Sequence, residues 1–309
     1  MSLRGVLFAV AVGALTSACA DRPVAHSEGP PKMAFVTSSA LSGIWGNDPT
    51  DIWVVGSEGT IVHGDGETFE EQESPVTETL HDVHGTGPDD VWAAGDAVIV
   101  HYDGKQWKKV FEDPDLTFLG VWSNGPNDAW AVGASTMDAA GIIEHWDGTK
   151  WNEGEAGATF WDIWGRGDEV WVAGTFQGGG GLVFKGGADK AFDTVGYDGE
   201  SARGLWGDGT DVWVAPYDGA LRHFDGATWE ALPPAPQTQL LDVTGTGGKD
   251  LWAVGLRGGA FHWDGTAWDS TDLQTDQTIM AVWSAAPNDA WLVGGSGTLL
   301  HWDGGTWMR

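Results

Sequence analysis

Hydrophobic and polar positions recur in one order along residues 41–309. Each copy reads as an aliphatic-rich segment ending near an aromatic residue and glycine, a short acidic turn, Asp-x-Trp with an apolar pair, and a segment ending in His-x-Asp-Gly before another aromatic residue. The tryptophan after the turn marks the copies at Trp53, Trp92, Trp130, Trp171, Trp213, Trp252 and Trp291. Their successive spacings of 39, 38, 41, 42, 39 and 39 residues define seven copies of one repeat.

Each copy predicts four short strands, which we call a to d. In the third copy the predicted strands cover residues 118–122, 129–132 and 141–146, and the fourth begins at Trp151. Asp147-Gly148 between strands c and d is a turn pair, because aspartate bonds to its own backbone and glycine tolerates positive φ. Four strands in about 40 residues without helical periodicity are typical of propeller blades. We predict an all-β, seven-bladed β-propeller of four-stranded blades.

The two ends of the repeat suggest how the ring closes. The seventh copy ends soon after Trp307, and residues 33–36 precede the first strand a at the place of a strand d. We therefore predict that an N-terminal strand joins the last blade, which would remove exposed strand edges. The predicted organisation is a signal peptide at 1–18, a lipidated cysteine and polar tether at 19–32, and the propeller at 33–309.

The N-terminus has the features of an exported bacterial protein. Arg4 precedes an apolar run over residues 5–15, too short for a permanent membrane span, and residues 15–19 read Leu-Thr-Ser-Ala-Cys. This segment resembles the lipobox of bacterial lipoproteins, although Thr16 departs from the usual aliphatic residue. The resemblance implies lipidation of Cys19, the only cysteine, so an internal disulfide is excluded. An ordinary signal peptide is the alternative. Ala20, where inner-membrane retention would favour aspartate, points to the outer membrane.

The charge of the chain limits its partners. Lysine and arginine number 15 against 45 aspartate and glutamate residues, for a formal net charge of −30. Such a surface repels phosphates, so we predict no nucleic-acid partner and no direct binding to anionic lipid. Membrane contact is expected through the lipid alone, with a monomeric propeller in the cell envelope.

The segments between strands c and d carry a family resemblance. Residues 101–107, 145–151, 262–268 and 301–307 resemble a relaxed Asp-box, the turn motif of sialidase-like (BNR) propellers. The longer repeat is similar to bacterial propellers related to photosystem II assembly factors and to tectonin lectins. The resemblance covers about residues 40–309 and implies the fold, but such propellers include hydrolases, lectins and assembly factors. The first box is degenerate, and the fourth is replaced by Lys185-Gly186-Gly187.

Histidine and aspartate recur at fixed places in the repeat. The histidines two residues before the turn aspartate are His63, His101, His145, His223, His262 and His301. A metal-binding ring is one interpretation, but strand c lies outside the centre of a propeller, so these side chains should be too far apart to share an ion. We expect each imidazole to bond to a neighbouring turn, and we predict no metal and no cofactor. The aspartates before strand b are interpreted as turn caps.

Catalytic groups are sought among residues that do not repeat. A sialidase needs three clustered arginines, a tyrosine nucleophile and an acid, whereas the arginines after the signal peptide are scattered at Arg22, Arg166, Arg203, Arg222, Arg257 and Arg309. No Ser-His-Asp, metal-ligand or quinoprotein pattern stands out. We therefore predict a protein without enzymatic activity, and keep an Asp-box glycoside hydrolase as the competing class.

Departures between copies locate a candidate binding surface. Copies three and four have longer b–c connections than the other copies. In copy four, the segment after the missing Asp-box also adds a tyrosine. The candidate residues on these segments are Met137, Asp138, Phe176, Gln177 and Tyr197. A second variable set lies early in strand a: Ser42, His81, Leu119, Trp161, Arg203, Leu241 and Met280. Neutral variation at tolerant positions is the alternative. We predict a scaffold that binds a protein or glycan of the envelope on the face of the b–c and d–a loops, with a tectonin-like lectin as the runner-up.

Overall fold

The computed structural model describes residues 37–209, 211–233 and 239–309. This part of the chain is all-β, with two short 3-10 turns at Ser57–Gly59 and Gly295–Gly297. No helix in these three ranges is long and apolar enough to cross a bilayer. The predicted signal peptide, Cys19 and tether lie outside the described residues.

The strands form six antiparallel sheets. The first sheet contains β1 (Leu41–Asp48), β2 (Asp51–Gly56), β3 (Ile61–Gly64) and β4 (Phe69–Glu71). The second contains β5 (Leu80–Gly87), β6 (Asp90–Tyr102), β7 (Trp107–Gly125), β8 (Asp128–Ser135), β9 (Gly141–Trp146) and β10 (Trp151–Ala156). The third contains β11 (Ala158–Arg166), β12 (Glu169–Phe176), β13 (Gly181–Gly187) and β14 (Lys190–Thr194).

The remaining three sheets have four strands each. The fourth contains β15 (Ala202–Gly207), β16 (Val212–Pro216), β17 (Arg222–Phe224) and β18 (Trp229–Ala231). The fifth contains β19 (Leu240–Gly247), β20 (Asp250–Gly255), β21 (Ala260–Trp263) and β22 (Trp268–Ser270). The sixth contains β23 (Ile279–Ala286), β24 (Asp289–Gly294), β25 (Thr298–Trp302) and β26 (Trp307–Met308).

The prediction of seven blades is wrong, because the described residues form six. Copies two and three of the repeat share the six-stranded sheet, whereas each other copy has a sheet of its own. Strand β7 runs without interruption from strand d of copy two into strand a of copy three. It stays paired with β6 through Asp96↔Thr117 and Val98↔Glu112, so the hydrogen-bond ladder does not stop between these copies.

The last blade is completed by its own fourth strand. β26 pairs with β25 through Trp302↔Trp307, so this sheet has a fourth strand from its own copy. Residues 33–36, predicted to join this blade as an N-terminal strand, lie outside the described residues. The ring closes through apolar packing of the first sheet on the last, where Leu41 and Ile44 join one buried cluster with Trp291.

The propeller has two distinct faces. Strand a of one copy contacts strand a of the next, from β1 and β5 to β23 and back to β1, so these strands surround the centre. The b–c and d–a connections meet on one face, which we call the b–c/d–a face. There the backbone N–H of Ser57 donates to the Ala40 carbonyl at 2.9 Å, and that of Tyr217 donates to Ser201 at 2.9 Å. The c–d turns lie with the a–b turns, as where Gly104 approaches Asp89.

The recurrent tryptophans form the core. Those that mark the copies have between 0% and 4% of their surface exposed, as expected of blade-core residues. Each recurrent histidine stacks on the tryptophan of its copy, and its Nε2 lies 2.6–3.1 Å from the aspartate before strand b. In copy four, Lys185 and Glu169 replace this pair together and keep the contact at 2.8 Å. The histidine–aspartate pairs are therefore partly buried structural contacts within each copy.

Three aspartates link the innermost strands. The third residue of strand a reads Gly43, Asp82, Gly120, Asp162, Gly204, Asp242 and Ala281 in the seven copies. Each aspartate accepts the N–H of its own successor and one N–H from the next copy, at Val121, Leu205 and Val282 respectively. The alternation with glycine has a steric cause, because a Cβ at Gly204 would lie 2.6 Å from the Asp242 Cα.

One buried acid departs from the apolar pattern of strand c. Glu144 is 4% exposed, lies opposite Glu153 across the c–d pair, and makes no hydrogen bond with a described residue. Copies one and two have Val62 and Val100 at this place. Burial, together with the charges of Glu153 and Asp113, raises the pKa of Glu144 to about 7.

We expect Glu144→Val to stabilise the propeller at pH 8. The native pKa of Glu144 lies above its unfolded value, so its ionisation removes stability from the wild type as pH rises through about 7, and the variant lacks this contribution. The gain at pH 8 should be about 1–3 kcal/mol and smaller at pH 5, measured by urea denaturation. Exposed Glu71→Val is the control. A gain that is the same at both pH values would contradict this origin.

Candidate binding surface

The variable set early in strand a has one structural cause. In every copy the pairing of strands a and b skips the second residue of strand a, as between Leu41 and Gly43 or Ala202 and Gly204. The skipped positions are Ser42, His81, Leu119, Trp161, Arg203, Leu241 and Met280, the set that the sequence singled out. A residue in a β-bulge leaves the ladder and its side chain is re-aimed. These seven residues form a bulge ring at the b–c/d–a face.

Two members of the bulge ring contact each other and a third aromatic residue. The Arg203 guanidinium carbon lies 3.5 Å from the centre of the Trp161 ring and 5.0 Å from that of Tyr217. Guanidinium groups are attracted to aromatic faces at such distances. Tyr217 follows strand b of copy five, where the other copies have serine, aspartate, alanine, threonine, leucine or glycine. The sequence analysis missed Tyr217, although an aromatic residue at this otherwise aliphatic or polar position was a usable signal.

Hydrogen bonds fix the Trp161 indole in this group. Its Nε1 donates to the Thr175 hydroxyl at 2.8 Å, and that hydroxyl lies 2.5 Å from the Ser201 hydroxyl. The three residues come from β11, the end of β12 and the connection before β15. The Trp161 ring beside Arg203 is therefore held in place by Thr175 of copy four and by Ser201 before copy five.

The lengthened loops of copies three and four adjoin this group. Met137 is 79% exposed and Phe176, which follows Thr175 directly, is 44% exposed. The Gln177 side-chain amide donates to the Asp138 carbonyl at 3.2 Å, so the two loops are linked. The predicted candidates Met137, Asp138, Phe176 and Gln177 thus lie in one arc with Trp161 and Arg203. We call this arc, together with Tyr217, the arc surface.

Tyr197 does not belong to the arc surface. Its ring packs against Trp229 with centres 5.2 Å apart and joins the apolar cluster of copies four and five. Burial raises the pKa of Tyr197, and the neighbouring Arg222 opposes that shift. Tyr197 was predicted to lie on the binding surface, but its contacts place it in this apolar cluster, and Tyr217 is the tyrosine on the surface.

Arg203 has no counter-ion in the described residues. It forms no ion pair or hydrogen bond there, and its Nε is buried without a partner. Burial lowers the pKa of Arg203. By contrast, Lys108, Lys109 and Lys185 each lie within 2.8 Å of a carboxylate.

Across residues 37–209, 211–233 and 239–309, no three His, Cys, Asp or Glu side chains are placed to hold a metal ion. Arg166, at the end of β11 beside the a–b turn of copy four, donates to the Asp208 carbonyl at 3.1 Å. The absence of enzymatic activity stays a prediction.

Comparison with known proteins identifies the fold. No family model matches the chain, and no curated protein matches it. The structure titled "YCF48 bound to D1 peptide" matches with a TM-score of 0.68 and 18% identity, over 88% of this chain and 95% of that one. YCF48 from Cyanidioschyzon merolae matches with a TM-score of 0.67 and 18% identity, over 88% and 97%. The WD40 propeller domain of Doa1 matches with a TM-score of 0.66 and 14% identity, over 88% and 95%. The chain is thus an all-β propeller similar in fold to the assembly-factor propellers that its repeat resembles.

Proposed function

We propose that this protein is a non-enzymatic scaffold that binds a segment of a partner protein on the arc surface of copies three to five. The main support for the proposal is that exposed Met137 and Phe176 adjoin the cluster in which Arg203 contacts Trp161 and Tyr217. Aromatic, methionine and arginine side chains are enriched where proteins bind each other. The similar propeller titled as bound to a D1 peptide supports peptide binding by this architecture.

The arc surface occurs once in the ring. This favours a protein partner over a small ligand that would bind in the same way at every copy. The loops of this surface differ from those of the other copies, so a partner can contact it in only one register of the ring. The blade core explains the positions that repeat, such as the histidine–aspartate pairs. Specificity is therefore assigned to positions that differ between copies.

The proposal is tested by crosslinking in the native cell. A photo-crosslinking amino acid at position 176 or 137 should give discrete protein adducts, because these side chains would lie in the interface. The same amino acid at Thr149, an exposed c–d turn position, should give none. Equal adducts at all three positions, or no adduct at 176 and 137, would overturn the proposal.

We expect the Met137→Ala, Phe176→Ala double variant to bind the crosslinked partner at least about tenfold more weakly, since exposed anchors supply a large share of interface energy. Its free energy of unfolding should stay within about 1 kcal/mol of the wild type, because Met137 is largely exposed and Phe176 is only about half-buried. Met280→Ala is the matched control, since Met280 is 40% exposed on the bulge ring in copy seven. Affinity is measured by titration calorimetry. Equal loss in the Met280 variant would show that the arc surface is not the site.

A lectin is the second candidate, supported by two equivalent grooves between copies. One cavity of about 550 Å³ is lined by the loop after β22 with Trp302 and Trp307, and another of about 210 Å³ by the loop after β4 with Tyr102 and Trp107. Trp107, Trp268 and Trp307 each begin strand d of their copy. In the described residues the Nε1 groups of Trp107 and Trp307 have no hydrogen-bond partner, whereas that of Trp268 donates to the Pro233 carbonyl. Glycan-array binding that is lost on Trp307→Ala but kept in the arc-surface double variant would favour the lectin.

The anchoring of the scaffold is part of the same proposal. Cys19 would carry a lipid that holds the propeller at the bacterial envelope, most simply at the outer membrane, with residues 20–32 as a tether. We expect Cys19→Ser to give a folded protein that leaves the membrane fraction. The measurement is immunoblotting of fractions after a high-salt wash, and a variant that stays with the membrane would contradict lipid anchoring.

A further inference from the structure

Arg203 is an unpaired cation in a strongly acidic protein. The chain has 45 acidic and 15 basic side chains, but in the described residues only Lys108, Lys109 and Lys185 pair with a carboxylate, so burial is what sets Arg203 apart. Arg203 is half-buried and pairs with none in the described residues, while its Nε has neither solvent nor a partner. Removing a charge from water without a paired charge is costly, so such a group needs a reason to persist.

The surroundings of Arg203 hold the guanidinium without neutralising it. Contact with Trp161 at 3.5 Å restrains the planar group, and the indole is itself fixed through Thr175. An aromatic contact engages the face of a guanidinium and leaves its edge of N–H donors for another ligand. No acidic side chain of the described residues occupies that edge. The group is therefore preorganised to meet an anion.

We propose that Arg203 binds a carboxylate of the partner segment, either an acidic side chain or the C-terminal carboxylate. This inference rests on the proposed function, because it assigns the chemistry recognised within the arc surface. A planar carboxylate matches the guanidinium edge through two parallel hydrogen bonds. A phosphate dianion fits less well, because the net charge of −30 repels two negative charges more strongly than one.

The test uses small probes on the full-length protein, so it does not need the partner. In ¹⁵N spectra of the arginine Nε–H groups, N-acetylglycine should shift the Arg203 signal saturably, with a dissociation constant on the order of 10 mM for a single charge-assisted contact. N-Acetylglycinamide, which lacks the carboxylate, should leave it in place. Arg203→Lys identifies the signal by removing it, and Arg166→Lys, at the opposite end of a strand a, is the matched control.

The outcomes separate this inference from the proposed function. Equal shifts with the acid and the amide, no shift with either, or tighter binding of inorganic phosphate than of N-acetylglycine would overturn the carboxylate assignment. Crosslinking at position 176 would still report a protein partner in each of those cases. If crosslinking fails, the proposed function is wrong whatever the probes show. With a partner in hand, Arg203→Lys should weaken binding about tenfold, because lysine cannot form the two parallel bonds.

Discussion

Trp92→Ala is expected to lower the free energy of unfolding by about 3–5 kcal/mol, the usual cost of removing a buried aromatic side chain. Trp92 is 2% exposed, stacks on His101 with ring centres 4.0 Å apart, and meets the edge of Trp151 from copy three. Its indole N–H also donates to Asp90 at 3.0 Å. One substitution therefore removes packing within copy two, packing between copies, and a hydrogen bond to a mostly buried carboxylate.

Two variants separate these contributions in urea denaturation experiments. Trp92→Phe keeps most of the ring contact but loses the indole donor, so its loss should be smaller than that of Trp92→Ala. Met137→Ala, on an exposed loop, should change stability by no more than about 0.5 kcal/mol. A loss below about 1 kcal/mol in Trp92→Ala would show that the recurrent tryptophans do not carry the core.

The repeat made the core predictable but not the sheet count. Because Trp92 and its equivalents recur about every 40 residues, their burial in blades could be read from spacing alone. Whether backbone hydrogen bonding continues from one copy to the next is not encoded in that spacing. After Trp107 the chain continues with Val110 and Phe111 and then Leu116 and Thr117, and it remains extended beside β6. Copies two and three therefore share one sheet.

The candidate site was predictable where it broke the repeat. Met137 and Phe176 stood out because their loops are longer, and the bulge ring stood out because its residues vary while the residue two places on is aliphatic in every copy. Tyr197 was misplaced because sequence alone did not show that Trp229 covers it. The aspartates at 82, 162 and 242 were missed because they alternate with glycine, so neither residue recurs in every copy.

These three aspartates lead to a large expected effect of pH on stability. Burial raises the pKa of Asp82 to about 6 and that of Asp242 to about 7, against hydrogen bonds from backbone N–H groups that lower both. Burial and the charges of the other two raise the pKa of Asp162 well above its usual value. In the unfolded chain all three titrate near 4. Between about pH 4 and 7 the native state therefore binds more protons than the unfolded state.

The sign of the effect follows from this difference. The stabilisation from these groups is fully present below about pH 4 and is lost as pH rises through about 6 to 7, at up to about 1.4 kcal/mol per pH unit for each proton. His84 opposes the trend, because burial lowers its pKa to about 4, so its contribution is lost as pH falls below its unfolded value. Because three aspartates lower stability as pH rises and only His84 raises it, we expect the free energy of unfolding to decrease from pH 5 to 8.

Asp162→Asn should reduce that pH dependence. At pH 5 the variant is expected to be less stable than the wild type by about 1 kcal/mol, because asparagine can accept only one of the two N–H groups, from Ile163 and Leu205, that Asp162 accepts. The deficit should shrink as pH rises to 8, since the variant has no carboxyl group to ionise, while His84 acts equally in both proteins. Asp103→Asn, in an exposed c–d turn, is the control and should leave the slope between pH 5 and 8 unchanged. Urea denaturation at unit steps of pH measures both slopes, and a deficit for Asp162→Asn that stays constant from pH 5 to 8 would refute the view that burial raises the pKa of Asp162.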